Sequence, residues 1–511
     1  MRSYTDWGYL ITRCAHRYAD RVALSFQGQN LTYRELDAKS TRLANSLVRL
    51  GVKKGDKVAS LLRNCNQSYE TYFGIAKMGG VSVQLNPRLV ARELTYILDN
   101  SDASVLIFDG DFRGLVEEIR PSLTAINTYV VVADDPPKNT LRFDDLIANG
   151  SEADLDVEID DDDPCTILYT SGTTGRPKGV VRTHRNNVSA AVTAAIGLGR
   201  RADDVELLAT QAFGVGLFNF SSAVFLAGAR LILMRQFDPR EALQIIQDER
   251  VTMFYGVHAM WNMILEVPDL DRFDTSSLRQ AHWGGEPMTA YTAQRILNRF
   301  GPVLTGVYGL SEGGLTFALP EVAVRKPLCC GKPVGLDEIR IVDDDDSEVP
   351  PGQRGEIVFR GPSEMVGYYK DPEATAQTLR NGWLHTGDIG YIDEEGDLFV
   401  IDRKKEMLIS GGENIYPAEI EQVLITNPKI LEAAVVGVPD AKWGQSVKAV
   451  VVLKPGETMT ADEVIEHCRR NLASYKKPKF VEFAESLPKN VMGKINRSEV
   501  REVYGKRPGS E

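Results

Sequence analysis

Amphipathic helical segments alternate with short β-branched runs along much of the chain, and this alternation most constrains the fold. From Leu31 to Asp109, a helical pattern, YRELDAKSTRLANSLVRLG, is followed by strand-like runs such as KVASLL and VSVQL. Strands joined by crossover helices form layered α/β structures. The alternation returns after Thr166 and again across ARLILM, EALQIIQDER and VTMFYGV. The pattern therefore predicts two similar α/β halves that pack together before residue 330.

The remainder of the chain changes character twice. Residues 328–400 are rich in Gly, Pro and Asp and contain short strand-like pieces, which predicts a small β-rich subdomain. An α+β pattern follows, in which Pro417 opens one helix, AAVVGV and VKAVVVL are strands, and Thr460 with Glu463 forms a capping box. The predicted fold class is α/β, with a small mobile α+β domain after the large one. The predicted units are an N-terminal domain of two α/β subdomains plus the β-rich subdomain (1–402), a hinge (403–405) and a C-terminal domain (406–511).

Composition excludes several classes of protein. The net charge is −12, and acidic runs occur at 160–163 and 343–346, so no broad basic face is expected to neutralise a nucleic acid. The six cysteines include no CxxC pair, which predicts neither a zinc site nor a disulfide framework and fits a reducing cytosol. The first residues, MRSYTDWGYLITR, lack a signal-peptide core, and the longest apolar region, 218–234, is interrupted by polar residues. We therefore expect a cytoplasmic protein without a membrane span.

The strongest motif is Y-T-S-G-T-T-G-R-P-K-G-V at 169–180, directly after an apolar strand. Gly172 and Gly175 permit sharp turns that expose backbone N–H groups, and four hydroxyls and Lys178 add further donors. Such a loop suits the oxygens of a triphosphate. No GK[ST] follows the glycines, so it is not a Walker A loop.

This loop and the motifs around it resemble those of the adenylate-forming superfamily, which contains acyl-CoA synthetases, peptide-synthetase adenylation domains and luciferases. The resemblance extends from LTYRELDAKSTRLANSL near the start to PKNVMGKINR near the end, and the motifs occur in the family's order. It implies that the loop holds the β- and γ-phosphates of ATP. The residues assigned to this role are Thr170, Ser171, Gly172, Thr173, Thr174, Gly175 and Lys178.

The segment Y-G-L-S-E at 308–312 resembles a second nucleotide-binding element of the family. The resemblance assigns Tyr308, Gly309, Ser311 and Glu312 to the nucleotide site. In the family, the aromatic ring of this element stacks on adenine, the hydroxyl contacts the α-phosphate, and the carboxylate coordinates Mg²⁺. The family more often has threonine at the position of Ser311, but the hydroxyl is retained.

Two further motifs complete the predicted nucleotide site. G-G-E-P resembles the turn that lines the adenine pocket, where small residues let the backbone approach the base. H-T-G-D at 385–388 resembles the ribose-binding element, in which the carboxylate of Asp388 accepts hydrogen bonds from both sugar hydroxyls, and Arg403 resembles its companion. The residues of the G-G-E-P turn are Gly284, Gly285, Glu286 and Pro287.

The resemblance also implies two catalytic arrangements of the C-terminal domain, related by rotation about a hinge at Lys405. In the first, Lys494 of P-K-N-V-M-G-K-I reaches the active site and offsets the negative charge that builds as the carboxylate attacks the α-phosphate. In the second, the loop S-G-G-E-N-I-Y-P lines the pantetheine tunnel, where Gly411 and Gly412 leave room for the thiol arm. The predicted residues of the CoA-nucleotide face are Trp443, Tyr475, Lys477 and Lys479.

The predicted acyl pocket is largely apolar. Its expected walls are Phe213, Gly214, Phe218, His258, Trp283, Gly306, Gly309 and Gly314. Many acyl-CoA ligases have an aromatic residue followed by histidine where this chain has Phe213 followed by Gly214. The missing bulk either widens access to the pocket or weakens its gating. The segment TQAFGVGL contains no acidic residue to pair with an α-ammonium group, so an α-amino acid substrate is disfavoured.

Together these motifs predict an AMP-forming acid–thiol ligase that uses ATP, Mg²⁺ and coenzyme A. The expected substrate is a medium aliphatic or cyclic/aromatic carboxylic acid, and the expected role includes fatty acid metabolism. The alternative is a stand-alone acyl-AMP ligase that loads a carrier protein. A luciferase-like oxidative enzyme is disfavoured because no motif supports oxygen chemistry. An inert binding relative is disfavoured because the sequence contains the full set of predicted ATP-site residues. The expected partners are these small molecules, and no nucleic acid is expected to bind. A homodimer is left open as the oligomeric state.

Overall fold

The computed structural model of the protein describes residues 4–170, 177–214, 221–285, 288–410, 413–440, 444–472, 474, 476–489 and 494–506. Within these ranges the helices are α1 (Trp7–Tyr18), α2 (Tyr33–Arg49), α3 (Asn66–Lys77), α4 (Ala91–Asn100), α5 (Arg113–Ile119), α6 (Phe143–Asn149), α7 (His184–Gly197), α8 (Ser222–Ala227), α9 (Pro239–Asp248), α10 (His258–Leu265), α11 (Ala290–Phe300), α12 (Pro320–Ala323), α13 (Pro372–Thr378), α14 (Pro417–Ile425), α15 (Ala461–Asn471) and α16 (Arg497–Tyr504).

The strands of the same ranges, in chain order, are β1 (Val22–Phe26), β2 (Gln29–Thr32), β3 (Lys57–Leu61), β4 (Val81–Gln84), β5 (Ala103–Asp109), β6 (Thr128–Val132), β7 (Leu141–Arg142), β8 (Pro164–Thr170), β9 (Lys178–Thr183), β10 (Val205–Leu208), β11 (Arg230–Leu233), β12 (Met253–Gly256), β13 (Gln280–Gly284), β14 (Leu304–Gly309), β15 (Leu315–Ala318), β16 (Lys332–Pro333), β17 (Glu338–Val342), β18 (Gly355–Arg360), β19 (Gly367–Tyr368), β20 (Leu379–Arg380), β21 (Trp383–Ile392), β22 (Leu398–Arg403), β23 (Leu408–Ser410), β24 (Glu413–Ile415), β25 (Ile430–Asp440), β26 (Gly444–Leu453) and β27 (Phe480–Phe483).

Two large sheets form the first part of the molecule. One has eight strands in the order β19-β9-β8-β4-β3-β5-β6-β7, and the other has nine in the order β16-β15-β14-β13-β12-β10-β11-β1-β2. The neighbours from β8 through β7 are parallel in the first sheet, as are those from β14 through β1 in the second. Parallel sheets of this kind place ligand sites at the carboxyl ends of their strands.

The two α/β halves are present, but they are not consecutive in the sequence. The hairpin of β1 and β2 joins the nine-stranded sheet through the parallel pairing of β1 with β11. Strands β8 and β9, which begin around Thr166, complete the eight-stranded sheet instead. Local periodicity predicts strands but not their partners, because pairing is decided by contacts between distant segments.

One buried cluster joins the two sheets around α3. It contains Leu168 and Val180 of the eight-stranded sheet and Leu207 and Leu231 of the nine-stranded sheet. Nearly every residue of α3 is buried, which marks a helix covered on all sides. Its Phe73 ring lies 5.7 Å from that of Phe225, centroid to centroid. This packing fixes the spacing between the two sheets that carry the predicted motifs.

Two smaller sheets complete the fold. β17, β18, β20, β21 and β22 form a five-stranded antiparallel sheet, which corresponds to the predicted β-rich subdomain. β23 to β27 form the second five-stranded sheet. Pro417 is the first residue of α14, and Thr460 caps α15 in a capping box with Glu463, as predicted. The exact domain boundaries stay a prediction, but β22 ends at Arg403 and a 3₁₀ turn, Lys404–Glu406, follows it.

No helix in the described ranges is both long and apolar enough to cross a membrane. All six cysteines are free thiols and all are buried.

Candidate functional site

The predicted phosphate loop spans the tip of a β-hairpin. Strands β8 and β9 pair antiparallel with Thr170 opposite Lys178, so these two residues close the loop at its base. The Lys178 ammonium lies 5.0 Å from the ring centroid of Tyr368, within range of a cation–π interaction. The loop residues Ser171, Gly172, Thr173, Thr174 and Gly175 lie outside the described residues.

The Y-G-L-S-E segment begins with the last two residues of β14 and continues past its carboxyl end, and two contacts fix its last residue. The carbonyl oxygen of Glu312 accepts a hydrogen bond from the backbone N–H of Met365 at 2.7 Å. Its carboxylate oxygen Oε1 accepts one from the Tyr368 hydroxyl at 2.8 Å. Burial raises the pKa of Tyr368, so the phenol keeps the proton that it donates. Tyr368 thus connects the phosphate hairpin to the predicted metal-binding carboxylate.

Tyr308, Asp388 and Arg403 form a hydrogen-bonded group. The Tyr308 hydroxyl donates to Oδ2 of Asp388 at 2.6 Å, and Arg403 Nε donates to Oδ1 of the same carboxylate at 2.6 Å. Strand pairing explains part of this geometry, because Asp388 of β21 lies opposite Arg403 of β22. Burial raises the pKa of Asp388, while the charge of Arg403 opposes that shift. The structure therefore brings the predicted adenine and ribose residues together.

The first two residues of the G-G-E-P turn lie at the carboxyl end of β13. The Tyr255 hydroxyl donates to the Gly284 carbonyl at 3.0 Å, and the Lys494 ammonium donates to the Gly285 carbonyl. Gly285 has φ +77°, and a Cβ atom there would lie 3.2 Å from the Tyr255 hydroxyl and 3.6 Å from Lys494 Nζ. Glycine therefore leaves room for both groups. Glu286 and Pro287 lie outside the described residues.

Residues on both sides of the predicted hinge contact helices of the C-terminal part of the chain. Lys405 lies in the 3₁₀ turn, and its ammonium is 3.9 Å from Oε1 of Glu406. The buried Glu406 carboxylate also pairs with Arg501 of α16. Before the turn, Oδ2 of Asp402 accepts the N–H of Ala418, in the first turn of α14, at 2.9 Å. These contacts tie the hinge segment to α14 and α16.

The predicted CoA-binding lysines contact groups of the C-terminal part. Lys477 Nζ donates to the hydroxyl of Ser474 at 3.0 Å, and Lys479 Nζ pairs with Asp440 at 2.6 Å. Their binding to CoA stays a prediction. Gly411, Gly412, Trp443 and Tyr475 fall outside the described residues.

The first residues of the predicted acyl pocket follow β10. The side-chain amide of Asn64, which is fully buried, accepts from the N–H of Ala212 at 2.7 Å and donates to the Thr210 carbonyl at 2.9 Å. This amide anchors the turn that carries Phe213 and Gly214. Phe218 lies outside the described residues.

His258 and Trp283 lie near the ends of β12 and β13. His258 Nε2 is 2.9 Å from the Thr292 hydroxyl of α11 and 3.1 Å from Nδ2 of Asn262, so this ring nitrogen joins a network between two helices. Trp283 is buried, 5% exposed, in β13. Their contact with an acyl group stays a prediction.

The predicted pocket glycines have a packing role that the sequence did not reveal. An added Cβ would lie 2.3 Å from the Cys329 carbonyl oxygen at Gly306 and 2.6 Å from the Gly314 carbonyl oxygen at Gly309. At Gly314, where φ is +73°, it would lie 2.4 Å from the Phe359 ring. Neighbouring protein atoms therefore fill the space that these missing side chains leave.

Sequence reasoning missed Tyr368 and Tyr255, which contact the predicted residues directly. Tyr368 belongs to a Gly-Tyr-Tyr run with no motif of its own, and it reaches the site only because β19 pairs with β9. Tyr255 is the third residue of the short strand β12. No local sequence feature distinguishes either tyrosine from an aromatic residue that only packs within a strand.

Glu312 has the chemistry of a magnesium ligand. Among the described residues, no group of three or more His, Cys, Asp or Glu side chains could enclose a metal ion. Mg²⁺ usually binds one or two carboxylates, with water and substrate phosphates as its other ligands. A single carboxylate near the hairpin that is predicted to bind phosphate fits that ligand set.

The predicted nucleotide-site residues thus lie at the carboxyl ends of β8, β13 and β14, where parallel strands place ligand sites. Residues 11–369 match the family model of AMP-binding enzymes, and residues 419–494 match the model of the AMP-binding enzyme C-terminal domain. The chain therefore belongs to the AMP-binding enzymes of the adenylate-forming superfamily. The family and fold class predicted from the sequence are confirmed.

Similar proteins of known name share nearly the whole chain. A feruloyl-CoA synthase from an Amycolatopsis species is 39% identical over 490 residues, which cover 95% of this chain and 96% of that protein. A fatty acid–[acyl-carrier-protein] ligase from Streptomyces coeruleorubidus is 35% identical over 496 residues, covering 94% and 93%. The crystal structure of an anthranilate-CoA ligase in complex with anthranoyl-AMP superposes with a TM-score of 0.91 at 29% identity, covering 98% of this chain and 97% of that one.

Proposed function

We propose that this protein is an AMP-forming carboxylate–CoA ligase. In the first step, a carboxylate oxygen attacks the α-phosphorus of ATP, the bond to the β-phosphate oxygen breaks, and pyrophosphate leaves. In the second step, the sulfur of CoA attacks the acyl carbon, the bond to AMP breaks, and the thiol proton passes to solvent. The contact between Lys494 and Gly285 is the observation that carries the proposal, because it brings a cation to the G-G-E-P turn, which the proposal assigns to the nucleotide.

The nucleotide is held in this proposal by the converging motifs. The hairpin closed by Thr170 and Lys178 binds the terminal phosphates, and the group of Tyr308, Asp388 and Arg403 binds the nucleoside. Glu312 holds Mg²⁺, which supplies charge neutralisation at the phosphates. Each oxygen of Asp388 accepts one hydrogen bond in the structure and keeps a second acceptor site for a sugar hydroxyl.

The second step uses the unit that follows the hinge. We place the domains at 1–402 and 406–511, with 403–405 between them and Lys405 as the pivot. The loop with Gly411 and Gly412 and the face with Trp443, Tyr475, Lys477 and Lys479 then receive CoA. Lys479 must leave Asp440 to meet a phosphate, because the two are paired at 2.6 Å.

The acid is a medium aliphatic or cyclic/aromatic acid in this proposal. The apolar side chains predicted for the pocket, Phe213, Phe218 and Trp283, support it, and the similar proteins include a feruloyl-CoA synthase and an anthranilate-CoA ligase. The test is a panel of aliphatic, cyclic and aromatic acids, in which pyrophosphate release is measured with and without CoA and thioesters are identified by mass spectrometry. Exclusive use of acetate or of very long chains would contradict this pocket assignment.

A carrier-protein ligase is the second candidate, since a fatty acid–[acyl-carrier-protein] ligase is among the similar proteins. Offering the preformed acyl-adenylate to free CoA and to a phosphopantetheinyl carrier protein separates the two functions. Discharge by CoA supports the first. Discharge only by the carrier supports the second.

A further inference from the structure

One arginine is buried directly behind the Y-G-L-S-E segment. Arg182 lies in β9 and is only 2% exposed. Its three guanidinium nitrogens donate to Asn187 Oδ1 at 3.1 Å, to the Ser311 carbonyl at 3.1 Å and to the Asn186 carbonyl at 3.2 Å. All three acceptors are neutral, which is unusual for a buried cation.

The guanidinium keeps its charge without a close counter-ion. No carboxylate of the described residues forms a salt bridge with it within 4.0 Å, although the charges of Asp337 and Glu312 act on it from farther away. Burial lowers the pKa of Arg182 to about 10, so it remains protonated at neutral pH. A buried charge that lacks an ion pair is costly, and apolar residues often replace such groups without loss of stability. The arginine therefore needs a reason other than packing.

One of the three contacts of Arg182 reaches Ser311, the residue that precedes Glu312. The Ser311 carbonyl accepts from Arg182, while the next carbonyl, of Glu312, accepts from Met365 at 2.7 Å. The loop of Met365 is tied to the same frame, because Nδ2 of Asn186 donates to the Pro362 carbonyl at 3.0 Å. The two successive carbonyl groups of Ser311 and Glu312 are thus held by one hydrogen-bonded unit.

We propose that Arg182 is a positioning residue of the nucleotide site. Its guanidinium fixes the Ser311–Glu312 backbone from behind and thereby holds the Glu312 side chain in position for the metal–nucleotide complex. The proposal rests on the proposed function, which assigns Glu312 to Mg²⁺. Arg182 touches no substrate in this role and acts through the segment that it holds.

Arg182→Met tests the proposal because methionine fills similar space without charge or donors. Calorimetric titration of the wild type and the variant with ATP and Mg²⁺ measures binding without any turnover. We expect the variant to bind ATP about ten-fold more weakly, the loss typical of a charge-assisted hydrogen bond. We also expect it to need more Mg²⁺ for half-maximal binding. Arg182→Lys should recover part of the affinity, because it restores the charge but not the planar set of donors.

Arg185→Met is the matched control, since Arg185 lies three residues further along and pairs with Asp162 at the exposed surface. Equal ATP affinity in Arg182→Met and Arg185→Met, with both folded, would overturn the proposal. If Arg182→Met does not fold, Arg182→Lys decides: several-fold weaker binding supports the role, and wild-type binding and Mg²⁺ dependence reject it.

A double-mutant cycle with Glu312→Gln separates positioning from simple structural support. If Arg182 acts through Glu312, the loss of ATP affinity caused by Arg182→Met should shrink in the Glu312→Gln background. Additive losses would contradict the proposal. A wild type that binds ATP but activates no acid would instead contradict the proposed ligase function and leave this binding test intact.

Discussion

The side-chain ammonium of Lys494 donates a hydrogen bond to the backbone carbonyl of Gly285, 209 positions earlier in the chain. The contact joins the last described loop before α16 to the carboxyl end of β13, next to the Y-G-L-S-E segment. A carbonyl oxygen is a weak partner for an ammonium compared with a phosphate or a carboxylate. In the proposed function, Lys494 exchanges this weak partner for the anionic substrate.

Lys494→Gln should slow adenylate formation by about 10²–10³, the usual effect of removing one donor from developing charge. Thioester formation from preformed acyl-adenylate should fall far less, because that step does not place new charge on the α-phosphate. The two steps are measured by acid-dependent pyrophosphate exchange and by thioester release from supplied adenylate.

Lys489→Gln provides the control for this experiment. Lys489 lies nearby in sequence but pairs with Glu432 on the surface, so its loss should change neither step. Equal damage to both steps in Lys494→Gln would show that the lysine does not serve adenylation in particular.

Gly285→Ala should impair adenylation and not only stability. Alanine at φ +77° is strained by about 1–2 kcal/mol, and its Cβ would press on the hydroxyl of Tyr255, 3.2 Å away. Gly456→Ala is the matched control, since Gly456 has φ +83° and no atom within 4 Å of an added Cβ. Chemical denaturation should show similar destabilisation in both, while pyrophosphate exchange should fall only in Gly285→Ala. Wild-type exchange in Gly285→Ala would mean that close approach there is unimportant.

Tyr368→Phe removes the hydroxyl that donates to Glu312 at 2.8 Å. Loss of one hydrogen bond to a charged group should raise the KM for ATP by about ten-fold at limiting Mg²⁺ and change kcat less. The ring and its contact with Lys178 remain. Tyr369→Phe is the control, because the hydroxyl of Tyr369 donates to the surface carboxylate of Asp102. Identical Mg²⁺ dependence in the two variants would exclude the proposed link to the metal.

The elements of the fold could be predicted from local sequence, since each depends on neighbours along the chain. The helical pattern after Leu31 became α2, and Thr460 with Glu463 capped α15 as expected. The strand partners could not be predicted in this way. Tyr368 contacts Glu312 only because the two-residue strand β19 pairs with β9, nearly two hundred residues earlier in the chain.

Part of the candidate site could not be predicted because some residues lie where their residue type is not usually found. Val180 and Arg182 share one face of β9 by the period-two rule, and Val180 is apolar, so alternation alone places the arginine inside. The usual exposure of arginine argues for the opposite assignment. Conversely, Gly306 suggested an open pocket wall, whereas the Cys329 carbonyl fills the space beside it. Long-range packing decided both cases.

Glu364 gives a prediction for stability as a function of pH. It lies one residue before Met365 and is half-buried, and burial and the charge of Asp337 raise its pKa from 4.5 to about 8, against the effect of Arg360. Between these two pH values the folded protein holds a proton that the unfolded chain has released. The contribution of Glu364 to the free energy of unfolding is therefore largest below pH 4.5 and falls as the pH rises towards 8.

Glu364→Gln should abolish this part of the pH dependence, because the amide stays neutral throughout. The variant should thus gain thermal stability relative to the wild type as the pH rises, with the largest difference above pH 8. Thermal unfolding at pH values on both sides of the window measures the difference, and Glu118→Gln, at an exposed position, serves as the control. Parallel curves for the wild type and Glu364→Gln would mean that Glu364 titrates alike in the folded and unfolded chain. Burial next to Asp337 would then not raise its pKa.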